Sequence, residues 1–166
     1  MTLAGRLTVL QHGGRILLDA NLLLLLTIGS YNPALIASFK RTQAFTNADY
    51  DLLAVILASF KTLVTTPHIL TEVSNLANAL PSHIKTDWAH HFASTIELLF
   101  EVSESSRIVS QHQLFPDFGL TDASIARLTE DTLILTQDGR LAARLNATIF
   151  CAFNLRDLVA IRDTYR

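Results

Sequence analysis

The feature that most constrains the fold is an apolar run that passes through an aspartate into a second apolar run. Residues 16–18 are Ile-Leu-Leu, Asp19 follows, and residues 22–26 are five consecutive leucines. A buried carboxylate without a partner costs far more free energy than one apolar contact returns. We therefore expect Asp19 to cap a helix, to pair with a cation or to bind a metal ion.

Length and composition predict one domain. The chain has 166 residues, of which 49% are hydrophobic, so it can bury about two thirds of the surface that its unfolded form exposes. The sequence contains no internal repeat and no low-complexity or proline-rich stretch that would mark a linker. Residues 1–166 are therefore expected to form a single domain.

Cysteine usage and hydropathy predict a cytoplasmic protein. Cys151 is the one cysteine in the sequence, which excludes an internal disulfide and fits a reducing compartment. The first residues lack the pattern of a signal peptide, and the leucine-rich run is shorter than the roughly 20 residues that cross a bilayer. We expect no membrane contact. The net charge of −2 gives no overall attraction to polyanions, so nucleic acid would have to be bound through local basic groups or cations.

An alternation of strand-like and helix-like segments predicts the fold class. Strand-like segments occupy residues 15–19, 62–66, 107–110, 132–136 and 148–151. Helix-like segments occupy residues 20–28 (closed by Gly29), 34–40, 49–60, 67–80, 81–101, 120–128, 138–145 and 155–165. Because strands separated by helices pair in parallel, we expect an α/β fold, a three-layer α/β/α sandwich with a mostly parallel central sheet. Residues 1–14 are expected to be an N-terminal extension and residues 81–116 a helical excursion.

Two aspartates are expected at the same edge of this sheet. Asp19 ends the first predicted strand, and Asp138 comes just after the strand at residues 132–136. The carboxyl ends of parallel strands meet at one edge, and ligands bind beyond that edge. Each aspartate could instead serve only as the cap of the helix that follows it.

Two further acids are predicted to lie on helices. Glu72 falls on the edge of the apolar stripe of the helix at residues 67–80, with Asn75 one turn later. The alternative for Glu72 is a boundary residue whose stem packs while its carboxylate reaches water. Asp122 falls in the first turn of the helix predicted at residues 120–128, where Thr121 could cap the helix and the helix dipole would stabilise the carboxylate.

A hard divalent cation would explain why these acids belong together. Mg²⁺ and Mn²⁺ prefer oxygen ligands, and the mutual repulsion of the carboxylates would otherwise penalise the fold. Asn21 and Thr136 could orient the ligands or their water molecules. The predicted catalytic and metal-binding residues are Asp19, Glu72, Asp122 and Asp138.

Four segments in order resemble the PIN-domain ribonucleases: residues 18–21, 70–73, 120–125 and 135–142. This resemblance implies an α/β/α sandwich with a Mg²⁺- or Mn²⁺-dependent nuclease site whose four acids are those named above. The toxins of prokaryotic toxin–antitoxin pairs are the most similar branch. They imply an RNA substrate, an antitoxin protein as inhibitor, and homodimers. Residues 1–14 and 81–116 depart from the compact toxin pattern.

The predicted reaction is hydrolysis of an RNA phosphodiester by metal-activated water. Arg140 and Arg144, one helical turn apart, are candidates for phosphate contacts, although both could be ordinary solvated surface. Two alternatives stay open. One is a PIN-like scaffold that binds RNA or protein without cutting. The other is a phosphatase of the haloacid-dehalogenase type, which requires a second aspartate where this chain has Asn21.

Overall fold

The computed structural model describes residues 14–128, 131–148 and 151–164, which form an α/β fold. The strands of this part of the chain are β1 (Arg15–Leu18), β2 (Thr62–Thr65), β3 (Phe100–Glu101), β4 (Thr132–Thr136) and β5 (Cys151–Asn154). They form one sheet in the order β3-β2-β1-β4-β5, and each of these described strand pairs is parallel. Helices flank the sheet, so the predicted three-layer α/β/α sandwich is confirmed.

The described helices are α1 (Ala20–Tyr31), α2 (Asn47–Leu57), α3 (Pro67–Ala77), α4 (Ser82–Ile96), α5 (Ser106–Val109), α6 (Phe115–Ile125), α7 (Gly139–Asn146) and α8 (Leu155–Thr164). A short 3-10 turn, Pro33–Leu35, follows α1. Among the residues described here, no helix combines the length and the apolar character needed to cross a membrane.

The strand order creates a crevice between β1 and β4. From the central β1 the chain proceeds to β2 and β3 on one side, and it then returns to β4 and β5 on the other. In open parallel sheets, ligands bind beyond the carboxyl ends of the strands at such a reversal. Leu18 pairs with Leu135, and the Asp19 amide donates to the Leu135 carbonyl at 3.0 Å. The two strands therefore end side by side.

The leucine-rich run is the core helix α1. The side chains of Leu22, Leu24, Leu25 and Ile28 are all 0% exposed. The helix contacts β1 and β4 as well as α2, α3 and α4. A helix that is apolar around its whole circumference is stable only when it is covered on every side, and its position between the sheet and three helices provides that cover.

Helix α1 does not end at Gly29 as the sequence predicts. It continues to Tyr31, and the Asn32 amide closes it by donating to the Ile28 carbonyl at 2.8 Å. Gly29 is instead a packing position, because a Cβ built there would overlap the ring of Tyr50 on α2. The sequence signal for a helix end therefore marks a close approach between two helices.

Three other predicted elements differ from the structure. The helix predicted at residues 34–40 is reduced to the 3-10 turn and further turns, in which buried Thr42 donates to the Ile36 carbonyl at 2.9 Å. The strand predicted at residues 107–110 is the helix α5. The helix predicted to reach residue 101 ends at Ile96, and β3 follows and pairs with β2.

The last described strand extends beyond its predicted end. The sequence predicts a strand over residues 148–151, whereas β5 spans Cys151–Asn154 and Thr148 lies in a turn; residues 149 and 150 lie outside the described part of the chain. The Asn146 side chain binds both backbone groups of Ala152, at 2.7 and 2.9 Å, and so fixes the approach to β5. The predicted N-terminal extension lies outside the described residues except for Gly14.

Candidate functional site

Asp19 joins the end of β1 to the start of α1 and is only 6% exposed. Its Oδ1 accepts from the Leu22 amide at 2.8 Å. Its Oδ2 accepts from the Thr136 hydroxyl at 2.5 Å and from the Gln137 amide at 2.6 Å. Burial raises the pKa of the Asp19 carboxyl, these three hydrogen bonds oppose that rise, and the charge of Glu72 adds to it. The capping role predicted for Asp19 is confirmed.

Thr136 links the ends of β1 and β4. Its side chain is 0% exposed. The hydroxyl that donates to Asp19 also accepts from the Asp138 amide at 2.9 Å. Thr136 therefore contacts Asp19 directly and holds the backbone at Asp138, which is the geometry that an orienting residue requires.

Asp138 is the exposed N-cap of α7. Its Oδ1 accepts from the Arg140 amide at 2.7 Å and from the Leu141 amide at 3.2 Å. The capping prediction is thus correct for this residue too. Capping keeps a negative charge at the positive end of the helix dipole, just beyond β4.

Glu72 lies on α3 at the boundary between core and solvent. The buried face of α3 consists of Ile69, Val73 and Ala77, and Glu72 beside it is half-buried. Thr66 caps this helix, and its hydroxyl forms a 2.9 Å hydrogen bond with the Ser124 hydroxyl. That bond fixes the start of α3 against α6.

Asp122 lies in the second part of α6, which bends at Gly119. Gly119 has φ +81° and ψ −178°, a conformation that is essentially restricted to glycine. Thr121 does not cap the helix as the sequence predicts. It lies inside α6, where its carbonyl accepts from the Ser124 hydroxyl at 2.6 Å. The bend, and not a new cap, sets the direction of the segment that carries Asp122.

The charges of the other three acids affect the pKa of Asp122. Burial, together with the charges of Asp19, Glu72 and Asp138, raises the pKa of the Asp122 carboxyl from 3.8 to about 7. Among residues 14–128, 131–148 and 151–164, however, no three acidic, histidine or cysteine side chains form a group ready to hold a metal ion. The all-oxygen donor set fits Mg²⁺ or Mn²⁺, which retain several water ligands that can bridge to more distant carboxylates.

The other predicted site residues are exposed. Asn21 lies on the first turn of α1. The Arg140 guanidinium carbon lies 5.4 Å from the centre of the Phe118 ring. Arg144 lines a separate cavity of about 260 Å³ together with His112. The orienting role of Asn21 and the phosphate contacts of the two arginines stay predictions.

A cleft of about 580 Å³ beside Glu72 was not predicted from the sequence. It is lined by Pro67, His68, Thr71, Glu72, Asn75, Ser103, Glu104, Ser105, Ser106, Leu120 and Thr121. A signal was present, because three serines fall within the four residues 103–106. Their meaning depends on α3 and α6, which only the tertiary fold brings to them.

Comparisons of the chain with protein-family models, with curated proteins and with solved structures find no match. The resemblance of the four acidic segments to PIN-domain ribonucleases therefore stays a prediction.

Proposed function

We propose that this protein is a Mg²⁺- or Mn²⁺-dependent ribonuclease, similar to the PIN-domain ribonucleases, that hydrolyses RNA phosphodiester bonds. The observation that best supports the proposal is that the pKa of the Asp122 carboxyl is raised by burial and by the charges of Asp19, Glu72 and Asp138. Asp19 and Asp138 follow the adjacent strands β1 and β4, and Asp122 on α6 experiences the charges of both, as well as that of Glu72 on α3.

Asp19, Glu72 and Asp122 are the residues that would hold the cation, and Asp138 would complete the site directly or through water. A bound divalent cation supplies a more acidic water molecule and stabilises negative charge on the phosphodiester. Burial is the largest cause of the raised pKa of Asp122, and the repulsion of the other carboxylates adds to it. A cation bound by these carboxylates would offset their mutual repulsion. Separate capping roles for the same acids would not offset it.

The remaining groups position these carboxylates and the substrate. Three donors hold the Asp19 carboxylate in one orientation, and Thr136 ties it to the backbone at Asp138. Arg140 stands two residues after Asp138, and the face of the Phe118 ring supports its guanidinium group. Since the acids repel phosphate, a cationic side chain at this edge gives RNA a point of attachment.

The proposal is tested by incubating labelled single-stranded RNA with the purified protein and Mn²⁺ or Mg²⁺, with and without a chelator. We expect metal-dependent cleavage that Asp19→Asn and Asp122→Asn abolish. Asp87→Asn is the matched control, because Asp87 is an exposed acid on α4. Mn²⁺ should also raise the melting temperature of the wild type and the control but not of Asp122→Asn. Cleavage that survives both active-site substitutions would refute the proposal.

One observation favours the non-catalytic alternative, a scaffold that binds RNA or protein without cutting it. Within the described part of the chain, no three potential ligands are grouped as a finished metal site. The same assay decides between the two functions, because a scaffold would leave the labelled RNA uncut in the presence of Mn²⁺.

The toxin role, the antitoxin partner and the homodimer rest on the family resemblance alone. If the protein is such a toxin, its expression should arrest growth, and expression of the Asp19→Asn variant should not. A small protein encoded beside it should restore growth when the two are co-expressed, and the two proteins should co-purify. Growth arrest that persists with Asp19→Asn would contradict this role.

A further inference from the structure

Asn154 ends β5 at the same edge of the sheet as the predicted ligands Asp19 and Asp138. It is the register partner of Thr136, the last residue of β4, and Thr136 is the residue whose hydroxyl donates to Asp19. Asn154 is half-buried. Because β4 and β5 are parallel and end together, the amide group of Asn154 lies beside the turn that carries Asp138.

The peptide group between Gln137 and Asp138 is held from both sides. Its N–H, that of Asp138, donates to the Thr136 hydroxyl at 2.9 Å. Its carbonyl, that of Gln137, accepts from Asn154 Nδ2 at 3.1 Å. A peptide group is planar, so hydrogen bonds at its two opposite ends fix its rotation. They thereby fix the direction in which the chain enters Asp138.

The Asn154 side chain also lies next to the residue that follows Asp138. A Cβ built on Gly139 would be 3.4 Å from Asn154 Nδ2, so this nitrogen packs near the start of α7. The Asp138 carboxylate is oriented by the same short segment, because its Oδ1 accepts from the Arg140 amide at 2.7 Å. Asn154 therefore lies against the backbone both before and after Asp138.

The oxygen of the Asn154 amide group has a different partner. Oδ1 accepts from the Arg156 amide at 2.9 Å at the start of α8, which is the arrangement of a helix cap. A cap alone requires only an oxygen, and serine or aspartate would supply one as well. The bond to the Gln137 carbonyl requires a donor in addition, which asparagine provides.

We infer that Asn154 is a positioning residue for the proposed metal site. It holds the peptide group between Gln137 and Asp138 so that Asp138, and through Thr136 also Asp19, keep the orientation that a divalent cation requires. The inference rests on the proposed function for the presence of the cation. Outer partners that orient metal ligands contribute about 10- to 100-fold to metal affinity, so an uncharged residue that does not touch the cation has a measurable effect.

Asn146 provides a matched control, because its side chain also forms two hydrogen bonds with the backbone. It bonds the N–H and the carbonyl of Ala152 near the start of β5, at the opposite end of that strand from Asn154. The affinity of the full chain for Mn²⁺ is measured from the electron paramagnetic resonance of the free ion. We expect Asn154→Ala to weaken Mn²⁺ binding about tenfold, and Asn146→Ala to bind Mn²⁺ as the wild type does.

Asn154→Ser separates positioning from capping. The serine hydroxyl can still accept from the Arg156 amide, but it is too short to reach the Gln137 carbonyl as well. We expect Asn154→Ser to weaken Mn²⁺ binding as much as Asn154→Ala does, with a smaller loss of stability in urea unfolding.

A second measurement, made in a chelator, does not depend on the metal. Hydrogen exchange of the Asp138 amide should be faster in both Asn154 variants than in the wild type and in Asn146→Ala, because the peptide group has lost one of its two partners.

Unaltered Mn²⁺ affinity in Asn154→Ala would overturn the inference, and so would an equal loss in Asn146→Ala. Full Mn²⁺ affinity in Asn154→Ser would also overturn it, because Asn154 would then only cap α8. The outcome is separable from that of the proposed function. A wild type that binds no Mn²⁺ would refute the proposed metal site, and Asn154 would keep its role toward Asp138 only if exchange of that amide responds as expected.

Discussion

The hydroxyl of Thr136 stands between two predicted metal ligands and contacts both residues. It donates to Asp19 Oδ2 at 2.5 Å and accepts from the Asp138 amide at 2.9 Å. A single buried side chain thereby couples the ends of β1 and β4, the two strands that flank the crevice of the sheet. The orientation of the Asp19 carboxylate depends on this link.

Replacing Thr136 with valine should be costly because the shape is kept while the donor to a buried carboxylate is lost. We expect Thr136→Val to lower the free energy of unfolding by about 2 kcal/mol and to reduce RNA cleavage. Thr65→Val is the matched control, because the buried Thr65 hydroxyl has no hydrogen-bond partner within the described residues. That substitution should be neutral or stabilising in urea unfolding. Equal effects of the two substitutions would contradict the role of Thr136.

Asp122 should make stability depend on pH. The unfolded chain loses the proton of this carboxyl near pH 3.8, whereas the folded protein keeps it up to about pH 7. The stability that this difference contributes is present in full below the unfolded pKa and is lost as pH rises through the folded one. In a chelator, the unfolding free energy of the wild type should therefore fall relative to that of Asp122→Asn between about pH 4 and pH 7. A difference that does not vary with pH would show that the pKa is not raised.

The bend at Gly119 should be essential for the position of Asp122. An alanine there would be forced into a conformation that costs about 1–3 kcal/mol, since φ is +81°. We expect Gly119→Ala to lower the melting temperature and to reduce cleavage. Gly139→Ala is the control at the start of α7, where an added Cβ would lie 3.4 Å from the Asn154 side-chain nitrogen, an ordinary contact. It should leave stability unchanged or raise it slightly.

Local sequence signals predicted the central part of the fold and the caps at its edge. β1 and β4 each contain a run of three apolar residues, and Asp19 and Asp138 come shortly after these runs and cap the next helices. Both positions are therefore decided by a few neighbouring residues. Their common edge then follows from parallel pairing alone. Local sequence signals do not give the distances between the acidic side chains. That these acids share a metal ion stays a prediction.

Features that depend on distant contacts were missed. From the sequence, Gly29 is a typical residue at a helix end. In the structure it is a position against which Tyr50, 21 positions later in the chain, packs closely. β3 has only two residues, Phe100–Glu101, so it shows no periodicity and exists through pairing with β2. The cleft beside Glu72 requires α3, α6 and residues 103–106 to meet. In each case the deciding partner is remote in sequence.

Arg140 is predicted to contact an RNA phosphate. The test is how the affinity for RNA depends on salt concentration. Neutralising one phosphate of a single strand contributes about 0.7 to the slope of log affinity against log salt concentration. Arg140→Ala should reduce the slope by about this amount and weaken binding at low salt. Arg140→Lys should keep the slope while losing the planar contact with Phe118, which lies 5.4 Å from the guanidinium carbon. Arg144→Ala tests the second predicted contact in the same titration. A slope that Arg140→Ala leaves unchanged would mean that this side chain is ordinary solvated surface.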